Sequence, residues 1–361
     1  MAYICSPARS LAAQVGSAQL SEGGIKPVRR TNGILGPRRN RCGHAVSASM
    51  TQEPAGTHCA GKARTYVAAK TPFLENGHFD LGAYEEHLAR MVQHGVEGVI
   101  VGGTTGEGHL MSWDEHLMLI AWTARNFGDK LKVIGNTGSN STREAVHATE
   151  QGFAVGMHAA LQINPYYGKT SKEGLVKHFE AVLDEGPGMV YNVPGRTGQD
   201  IPDDVIIGLS KHPNFLGVKE CTGNSRILSY AERGIKCWSG NDDECHEGRH
   251  KYRGFGVVSV AANLMPGAWA RLMGPEPDYE LMARLDPLTR WLFHEPNPIA
   301  INTAMAMCGL CKPVFRAPYV PCSREAREEG ARLMNEVIEF IPGVEEVRPL
   351  EDEDFSVVTN F

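Results

Sequence analysis

Short apolar runs alternate with amphipathic segments of helical length, and this alternation limits the fold of the chain more than any other feature. Eight runs of four or five residues, most followed by a polar or glycine-containing turn, occupy residues 66–69, 98–102, 132–135, 159–163, 189–193, 216–219, 236–239 and 256–260. Helical patterns lie between them at 83–95, 114–127, 142–155, 172–185 and 202–211. Several of these begin after Ser, Thr or Asp, the residues that cap helix N-termini.

Eight strands alternating with helices predict an α/β fold, a closed parallel (β/α)8 barrel over residues 61–264. A doubly wound open sheet shows the same alternation and remains the structural alternative, although the strand count favours the barrel. After residue 264 only helical patterns remain, at 279–293, 298–310 and 323–341, which predict a helical appendage over 265–345. The acidic residues 346–361 are expected to form a solvated tail.

The first sixty residues differ from the rest in composition. Glu22 is the only acidic residue between Met1 and Met50, whereas this stretch holds six arginines among Ser, Ala, Gly and Pro. Such a composition is typical of an organelle transit peptide, and a disordered tail is the alternative. We therefore predict that residues 1–60 are a transit peptide.

Composition and charge narrow the function classes. A chain with 42% hydrophobic and 22% charged residues is typical of a packed soluble enzyme. Its net charge of -6 gives no basic field that could bind nucleic acid. The sequence contains no run of about 18 apolar residues, so a membrane span is not expected. The nine cysteines are scattered, which is typical of reduced thiols.

The polar residues that follow the apolar runs are the candidates for chemistry, because a barrel of this kind gathers them at one end. Lys219 is the most informative, since desolvation at the end of a buried strand lowers a lysine pKa and leaves a neutral amine that can attack a ketone. A lone lysine at a strand end more often reaches solvent. Threonine hydroxyls, tyrosine phenols and an arginine at neighbouring strand ends favour a keto-acid aldolase instead.

Five motifs carry a family resemblance, at residues 102–108, 166–167, 191–198, 219–224 and 256–260. In order and spacing they resemble the 4-hydroxy-tetrahydrodipicolinate synthase (dihydrodipicolinate synthase) family of pyruvate-dependent class I aldolases, over residues 64–341. Residues 110–116 and 240–246 resemble the plant form in particular. The resemblance agrees with the transit-like N-terminus and implies a chloroplast location, in the plastid stroma.

The resemblance implies a lyase of lysine biosynthesis by the diaminopimelate route. Lys219 would form a Schiff base with pyruvate, and Tyr191 would act as general acid and base, connected through Thr104 to Tyr167. In the family the tyrosine matching Tyr167 enters from a neighbouring subunit, which implies a homo-oligomer, expected to be a dimer of dimers (a homotetramer).

Four further residues are implied to bind substrates. Thr105 would hold the carboxylate of pyruvate, and Arg196 the carboxylate of the second substrate, L-aspartate 4-semialdehyde. Gly240 and Val258 would complete the substrate site. The product would be 4-hydroxy-tetrahydrodipicolinate, formed in the first committed step of the route.

A second set of residues matches family positions that bind the inhibitor L-lysine. These are Trp113, His116, Asn140, Glu144 and Tyr166. The resemblance therefore implies allosteric feedback inhibition by L-lysine. The chain departs from the family pattern at Gly108 and His109, so the strength of inhibition does not carry over.

Competing signals are weaker. His246 and His250 have zinc-protease spacing without a third ligand, and the Cys308-x-x-Cys311 pair has no partner pair. Residues 103–108 have phosphate-loop spacing, but His109 replaces the lysine that would reach a phosphate. We thus expect neither metal nor cofactor. A sugar-acid or sialic-acid aldolase and a non-catalytic keto-acid-binding barrel remain the alternative functions.

Overall fold

The computed structural model of the protein describes residues 64–360, so the predicted transit peptide lies outside the described residues. Eight parallel strands follow one another in chain order, and the first pairs with the last to close a barrel. The strands are β1 (Thr65–Ala68), β2 (Gly98–Val101), β3 (Lys132–Asn136), β4 (Ala159–Ile163), β5 (Gly188–Asn192), β6 (Phe215–Glu220), β7 (Cys237–Ser239) and β8 (Gly256–Ser259). Closure confirms the predicted (β/α)8 barrel and excludes the open sheet.

Helices cover the outside of the barrel, and each strand is followed by at least one. They are α1 (Leu81–Gln93), α2 (Trp113–Phe127), α3 (Thr142–Ala154), α4 (Lys172–Leu183), α5 (Pro194–Thr197), α6 (Asp203–Leu209), α7 (Asn224–Ala231), α8 (Cys245–His250) and α9 (Pro266–Leu272). Side-chain caps fix several N-termini where the sequence predicted them. Ser141 at α3 and Ser171 at α4, for example, accept hydrogen bonds from the backbone N–H groups of Glu144 and Gly174.

Alternation along the strands separates two environments, because successive side chains point to opposite faces. Val218 faces outward and packs with the helices, in a cluster with Leu175 and Phe179. Tyr191 belongs to the other face, inside the barrel, with Met189 and Trp238. This alternation also directs Lys219, the residue after Val218, towards the barrel interior.

Three helices follow the barrel, α10 (Tyr279–Trp291), α11 (Ile299–Met307) and α12 (Arg324–Glu336), as the sequence predicted. The expectation that strands stop after the barrel is wrong. Two short strands, β9 (Val314–Arg316) and β10 (Ser356–Val358), pair in parallel outside it. A three-residue strand leaves too short a pattern to detect in a sequence.

The acidic C-terminal segment does not extend freely into solvent. Its side chains are largely exposed, but Glu351 pairs with Arg324 and Asp352 pairs with the buried Arg327 of α12. These ion pairs hold the segment against the appendage, and β10 follows directly in the chain. None of the helices described between residues 64 and 360 is long and apolar enough to span a membrane.

Candidate active site

Lys219 lies inside the barrel near the carboxyl end of β6. Strand pairing places it beside Tyr191 of β5 and Trp238 of β7. Its side chain is 8% exposed, and its Nζ lies 4.3 Å from the centroid of the Tyr191 ring. The residue singled out from the sequence is therefore at the catalytic end of the barrel, against an aromatic face.

The surroundings of Lys219 favour its neutral form. Burial lowers the pKa of the ammonium below the ordinary lysine value, and the Arg196 guanidinium acts in the same direction. The Cys221 thiol and the Asp242 carboxyl oppose this shift. Since burial is the largest cause, the barrel interior itself favours the neutral amine that nucleophilic attack requires.

The Tyr191 phenol is buried beside the lysine. Burial raises its pKa well above the usual tyrosine range, and the neighbouring Cys221 thiol adds to that effect. A phenol with a raised pKa stays protonated at neutral pH, so Tyr191 is available as a proton donor. Among residues 64–360 no direct hydrogen bond joins the side chains of Tyr191 and Thr104.

Gly240 leaves the space that these groups occupy. A Cβ at this position would lie 2.2 Å from Cys221 Sγ and 3.1 Å from Lys219 Cε. Any larger residue would displace the thiol and press on the lysine. The structure therefore places Gly240 directly at the lysine, whereas Val258 is buried in the barrel interior beside Tyr191 and Trp238.

A buried carboxylate that sequence reasoning missed ties the ends of β5 and β6 together. The Glu220 side chain accepts hydrogen bonds from Asn192 Nδ2 at 3.1 Å and from the backbone N–H groups of Cys221 and Thr222, both at 2.9 Å. Asn192 directly follows Tyr191 in the chain, as Glu220 follows Lys219. This arrangement fixes the strand ends that carry Tyr191 and Lys219 relative to each other.

Thr104 and Thr105 follow β2 in a tight loop. Thr105 is 1% exposed, and its hydroxyl accepts a hydrogen bond from Asn297 Nδ2 at 3.1 Å. The backbone carbonyl of the same Asn297 accepts one from Arg196 Nη2 at 3.3 Å. Asn297 thus connects the two residues predicted to bind carboxylates, and its only sequence signal was a Pro-rich turn between helical patterns.

Thr104 and Arg196 open onto a cavity of about 590 Å³. His109 and Tyr319 also line it, and His109 Nε2 lies 2.8 Å from the Tyr319 hydroxyl. Arg196 is exposed on the short helix α5, so its guanidinium can reach an anionic ligand in the cavity. A cavity of this size accommodates a small ligand.

Four of the five residues predicted to bind L-lysine line the same cavity, namely Trp113, His116, Glu144 and Tyr166. The fifth, Asn140, donates a hydrogen bond from Nδ2 to the Tyr166 carbonyl at 3.3 Å. The structure therefore brings the set together.

His116 is held as a neutral imidazole. Burial lowers its pKa to about 4, and its Nε2 lies 3.4 Å from the Val101 carbonyl. Its ring contacts Trp113 edge to face, at 5.4 Å between centroids. A Cβ at Gly102 would overlap the imidazole at 1.8 Å, and Gly102 also has a positive φ, so only glycine fits there.

Tyr167 stands apart from the rest of the site. Its side chain is 95% exposed and does not line the cavity, whereas its neighbour Tyr166 does. Its φ of 67° is unusual for an aromatic residue. Within one chain, therefore, Tyr167 is not brought to Lys219.

The competing motifs acquire no ligand geometry. His246 Nε2 accepts a hydrogen bond from the Asp278 backbone N–H at 2.9 Å, and His250 Nε2 lies 3.0 Å from the Leu272 carbonyl. Among the residues that the structure describes, no three metal-ligating side chains cluster. Cys308 and Cys311 are free thiols whose pKa values are raised, to about 12 and about 11, chiefly by burial.

A closed (β/α)8 barrel with a buried lysine at a strand end, facing a phenol, defines the class of lysine-dependent aldolases. The model of the Dihydrodipicolinate synthetase family matches residues 62–337. The chloroplastic 4-hydroxy-tetrahydrodipicolinate synthase of Nicotiana tabacum is 58% identical over 299 residues, which cover 82% of this chain and 83% of the relative.

Solved structures agree. The chloride-inhibited dihydrodipicolinate synthase from Acinetobacter baumannii, complexed with pyruvate, superposes with a TM-score of 0.74 at 30% identity, covering 78% of this chain and 99% of that chain. The enzyme from Cyanidioschyzon merolae with lysine bound gives a TM-score of 0.72 at 30% identity, covering 76% and 97%. The chain belongs to the dihydrodipicolinate synthetase family.

Family membership confirms the lyase of lysine biosynthesis that the sequence motifs predicted. The predicted chloroplast location is confirmed as well, since the plant relatives are named chloroplastic.

Proposed function

We propose that the protein condenses pyruvate with L-aspartate 4-semialdehyde through a Schiff base on Lys219. The observation that carries the proposal is the buried amine of Lys219, with its lowered pKa, 4.3 Å from the centre of the Tyr191 ring. The pyruvate complex of the A. baumannii relative supports the first substrate. The exposed Arg196, on the cavity that Thr104 also lines, suits the carboxylate of the second.

The chemistry begins with attack of Lys219 Nζ on the ketone carbon of pyruvate. A C–N bond forms, the ketone oxygen leaves as water, and an imine results. Loss of a proton from the pyruvate methyl group gives an enamine, whose carbon attacks the aldehyde of the second substrate. Tyr191 donates and accepts the protons of these steps, while Thr105 holds the pyruvate carboxylate.

Borohydride reduction in the presence of pyruvate tests the Schiff base. We expect a stable adduct, mapped by mass spectrometry to the peptide that holds Lys219, and turnover with L-aspartate 4-semialdehyde. Lys70 is the control within the same protein, because it is also a buried lysine after an apolar run. No adduct on Lys219 would reject catalysis in favour of a keto-acid-binding barrel, and turnover with sugar acids alone would reject the second substrate.

The exposed Tyr167 supports a homo-oligomer in which this side chain completes the site of a neighbouring copy. A large aromatic side chain that is 95% exposed, on a backbone with positive φ, suits insertion into a partner. Such reciprocal donation requires a symmetric dimer. Pairing of two dimers into a tetramer is the further expectation, to be measured by analytical ultracentrifugation.

Mixing two inactive variants tests the shared site. In heterodimers of Lys219→Met and Tyr167→Phe, one of the two sites regains both residues, so unfolding and refolding the mixture should restore roughly a quarter of wild-type activity. A mixture of Lys219→Met with Tyr191→Phe is the matched control and should stay inactive, since Tyr191 lies beside Lys219 of its own chain and no site of that heterodimer holds both residues. Absence of recovery in the first mixture would place Tyr167 outside the neighbouring site.

L-Lysine is proposed as a feedback inhibitor bound among Trp113, His116, Asn140, Glu144 and Tyr166. The lysine-bound relative from C. merolae supports this assignment. The Glu144 carboxylate is about half exposed on the cavity, where it can pair with a ligand ammonium group. Glu144→Gln should raise the inhibitory concentration of L-lysine by ~10-fold or more while kcat stays unchanged. Equal inhibition of variant and wild type would remove Glu144 from the site.

A further inference from the structure

A buried ion pair lies beneath the loop that carries Thr104 and Thr105. Lys70, which follows β1, and Glu107, which follows β2, are 1% and 0% exposed. Lys70 Nζ and Glu107 Oε1 are 2.7 Å apart. Neither residue takes part in the chemistry proposed above, so the pair needs another explanation.

The pair joins three separate parts of the chain. Glu107 Oε1 also accepts a hydrogen bond of 2.6 Å from Nδ2 of Asn302, in the appendage helix α11. The Lys70 backbone N–H donates to Asn263 Oδ1 at 2.9 Å, and Asn263 Nδ2 donates to the Ala68 carbonyl. Glu107 thus contacts both Lys70, at the end of β1, and Asn302, in α11.

Glu107 in turn determines the shape of its loop. Its backbone N–H donates to the Thr104 carbonyl at 3.0 Å, which closes the turn across Thr105. Its own φ is 61°, a left-handed conformation that a non-glycine residue adopts only when its surroundings hold it there. A Cβ at Gly106 would lie 2.6 Å from the Ala69 carbonyl oxygen, so the loop packs directly on the end of β1.

Asn297 contacts the same loop from the same appendage segment, through its hydrogen bond to the Thr105 hydroxyl. Asn297 and Asn302 are five residues apart, immediately before and within α11. Contacts with the α11 segment therefore position both threonines. Asn297 binds the Thr105 side chain directly, and Asn302 binds Glu107, which in turn binds the Thr104 backbone.

Burying two charges is costly, and an apolar pair of similar volume can stabilise a fold as well or better. A charged pair is also directional, because its hydrogen bonds fix the position of the carboxylate. We propose that Glu107, paired with Lys70 and Asn302, is a positioning residue that sets Thr104 and Thr105 for proton transfer and for binding the pyruvate carboxylate.

Glu107→Gln tests the proposal, because glutamine keeps an acceptor for Asn302 and loses only the charge. Glu97→Gln is the matched control. Glu97 pairs with Arg64 at 3.0 Å and directly precedes β2, so it lies at the opposite end of the same strand. Active sites are counted in each protein by borohydride trapping with pyruvate, kcat is expressed per trapped site, and KM for pyruvate is measured on the same samples.

For Glu107→Gln we expect kcat per trapped site to fall by ~10- to 100-fold and KM for pyruvate to rise, as displacement of a catalytic group by about 1 Å would produce. Glu97→Gln should keep both values. Asn302→Ala, which leaves no charge unpaired, should shift both in the same direction by a smaller factor. If Glu107→Gln does not fold, Asn302→Ala is the variant that tests the proposal.

A kcat per trapped site and a KM for pyruvate equal to wild type, in Glu107→Gln or in its place Asn302→Ala, would overturn the proposal and leave the pair as a stabilising contact. The inference rests on the proposed function. If wild-type protein were not trapped by pyruvate, the Schiff base itself would be rejected, and the inference with it. Trapping of wild type together with unchanged variants would reject the inference alone.

Discussion

Two lysines are buried at the carboxyl end of one barrel, and their surroundings are opposite. Lys70 meets a carboxylate, Glu107, at 2.7 Å, whereas Lys219 lies over the face of Tyr191 and has no paired carboxylate among residues 64–360. The first arrangement is an ion pair. The second favours loss of the lysine proton, since burial lowers the pKa of Lys219 without a compensating ion pair. Both lysines are buried, so burial alone does not distinguish them, and the difference lies in their neighbours.

The largest expected effect separates the two lysines by function. Lys219→Met should abolish pyruvate trapping and lower kcat by at least ~10³-fold, because the covalent route is lost. Lys70→Met should still be trapped at Lys219, even though it folds less stably. The measurement is borohydride trapping followed by peptide mapping. Trapping at Lys70 in the Lys219→Met protein would show that Lys219 is not the lysine that alone reacts with pyruvate.

The two substitutions should rank in the opposite order when their effects on the free energy of unfolding are compared. Lys70→Met leaves Glu107 as an unpaired buried charge and should cost ~3–5 kcal/mol of unfolding free energy. Lys219→Met removes a buried amine that has no ion-pair partner and leaves no charge unpaired, so it should cost less than ~1 kcal/mol or stabilise the fold. Urea denaturation gives both values.

The double variant Lys70→Met/Glu107→Leu is the control for that prediction. It removes both charges and should recover most of the lost stability. A double variant as unstable as Lys70→Met would show that packing volume, not the unpaired charge, sets the cost.

Tyr191→Phe should give an intermediate effect on activity. The substitution keeps the aromatic face beside Lys219 and removes the phenolic proton donor, so kcat should fall by ~10²- to 10⁴-fold while some trapping persists. Steady-state kinetics with both substrates measures the loss. Wild-type turnover in this variant would remove Tyr191 from the proton transfers.

The smallest effect concerns the pH dependence of trapping. The trapping rate should rise as pH passes through the lowered pKa of Lys219, because the neutral amine is the reactive form. Arg196→Ala removes a charge that lowers this pKa, so the midpoint should move to higher pH. Since burial is the larger cause, most of the shift should survive the substitution. A midpoint that moves to lower pH would contradict the assigned sign.

Much of the molecule could be predicted from its sequence, because the barrel is encoded locally. Each strand is an apolar run and most barrel helices have a recognisable amphipathic pattern, so strand order and count followed from periodicity. The strand pair β9 and β10 escaped because its members are three residues each and 40 residues apart in the chain. The motifs indicated Thr104, Tyr191, Arg196 and Lys219, whereas Asn297 and Glu220 act through contacts that no local pattern marks.

The two lysines show where the information in the sequence ends. Both follow an apolar run, Tyr66 to Ala69 before Lys70 and Phe215 to Val218 before Lys219, and the sequence predicted Lys219 at the end of a buried strand. The sequence by itself determined only that each follows an apolar run. Only the tertiary structure decided which has a counter-ion, because the carboxylate beside Lys70 lies 37 residues away in the chain. Charge compensation in a low-dielectric interior depends on distances of a few ångströms between remote segments.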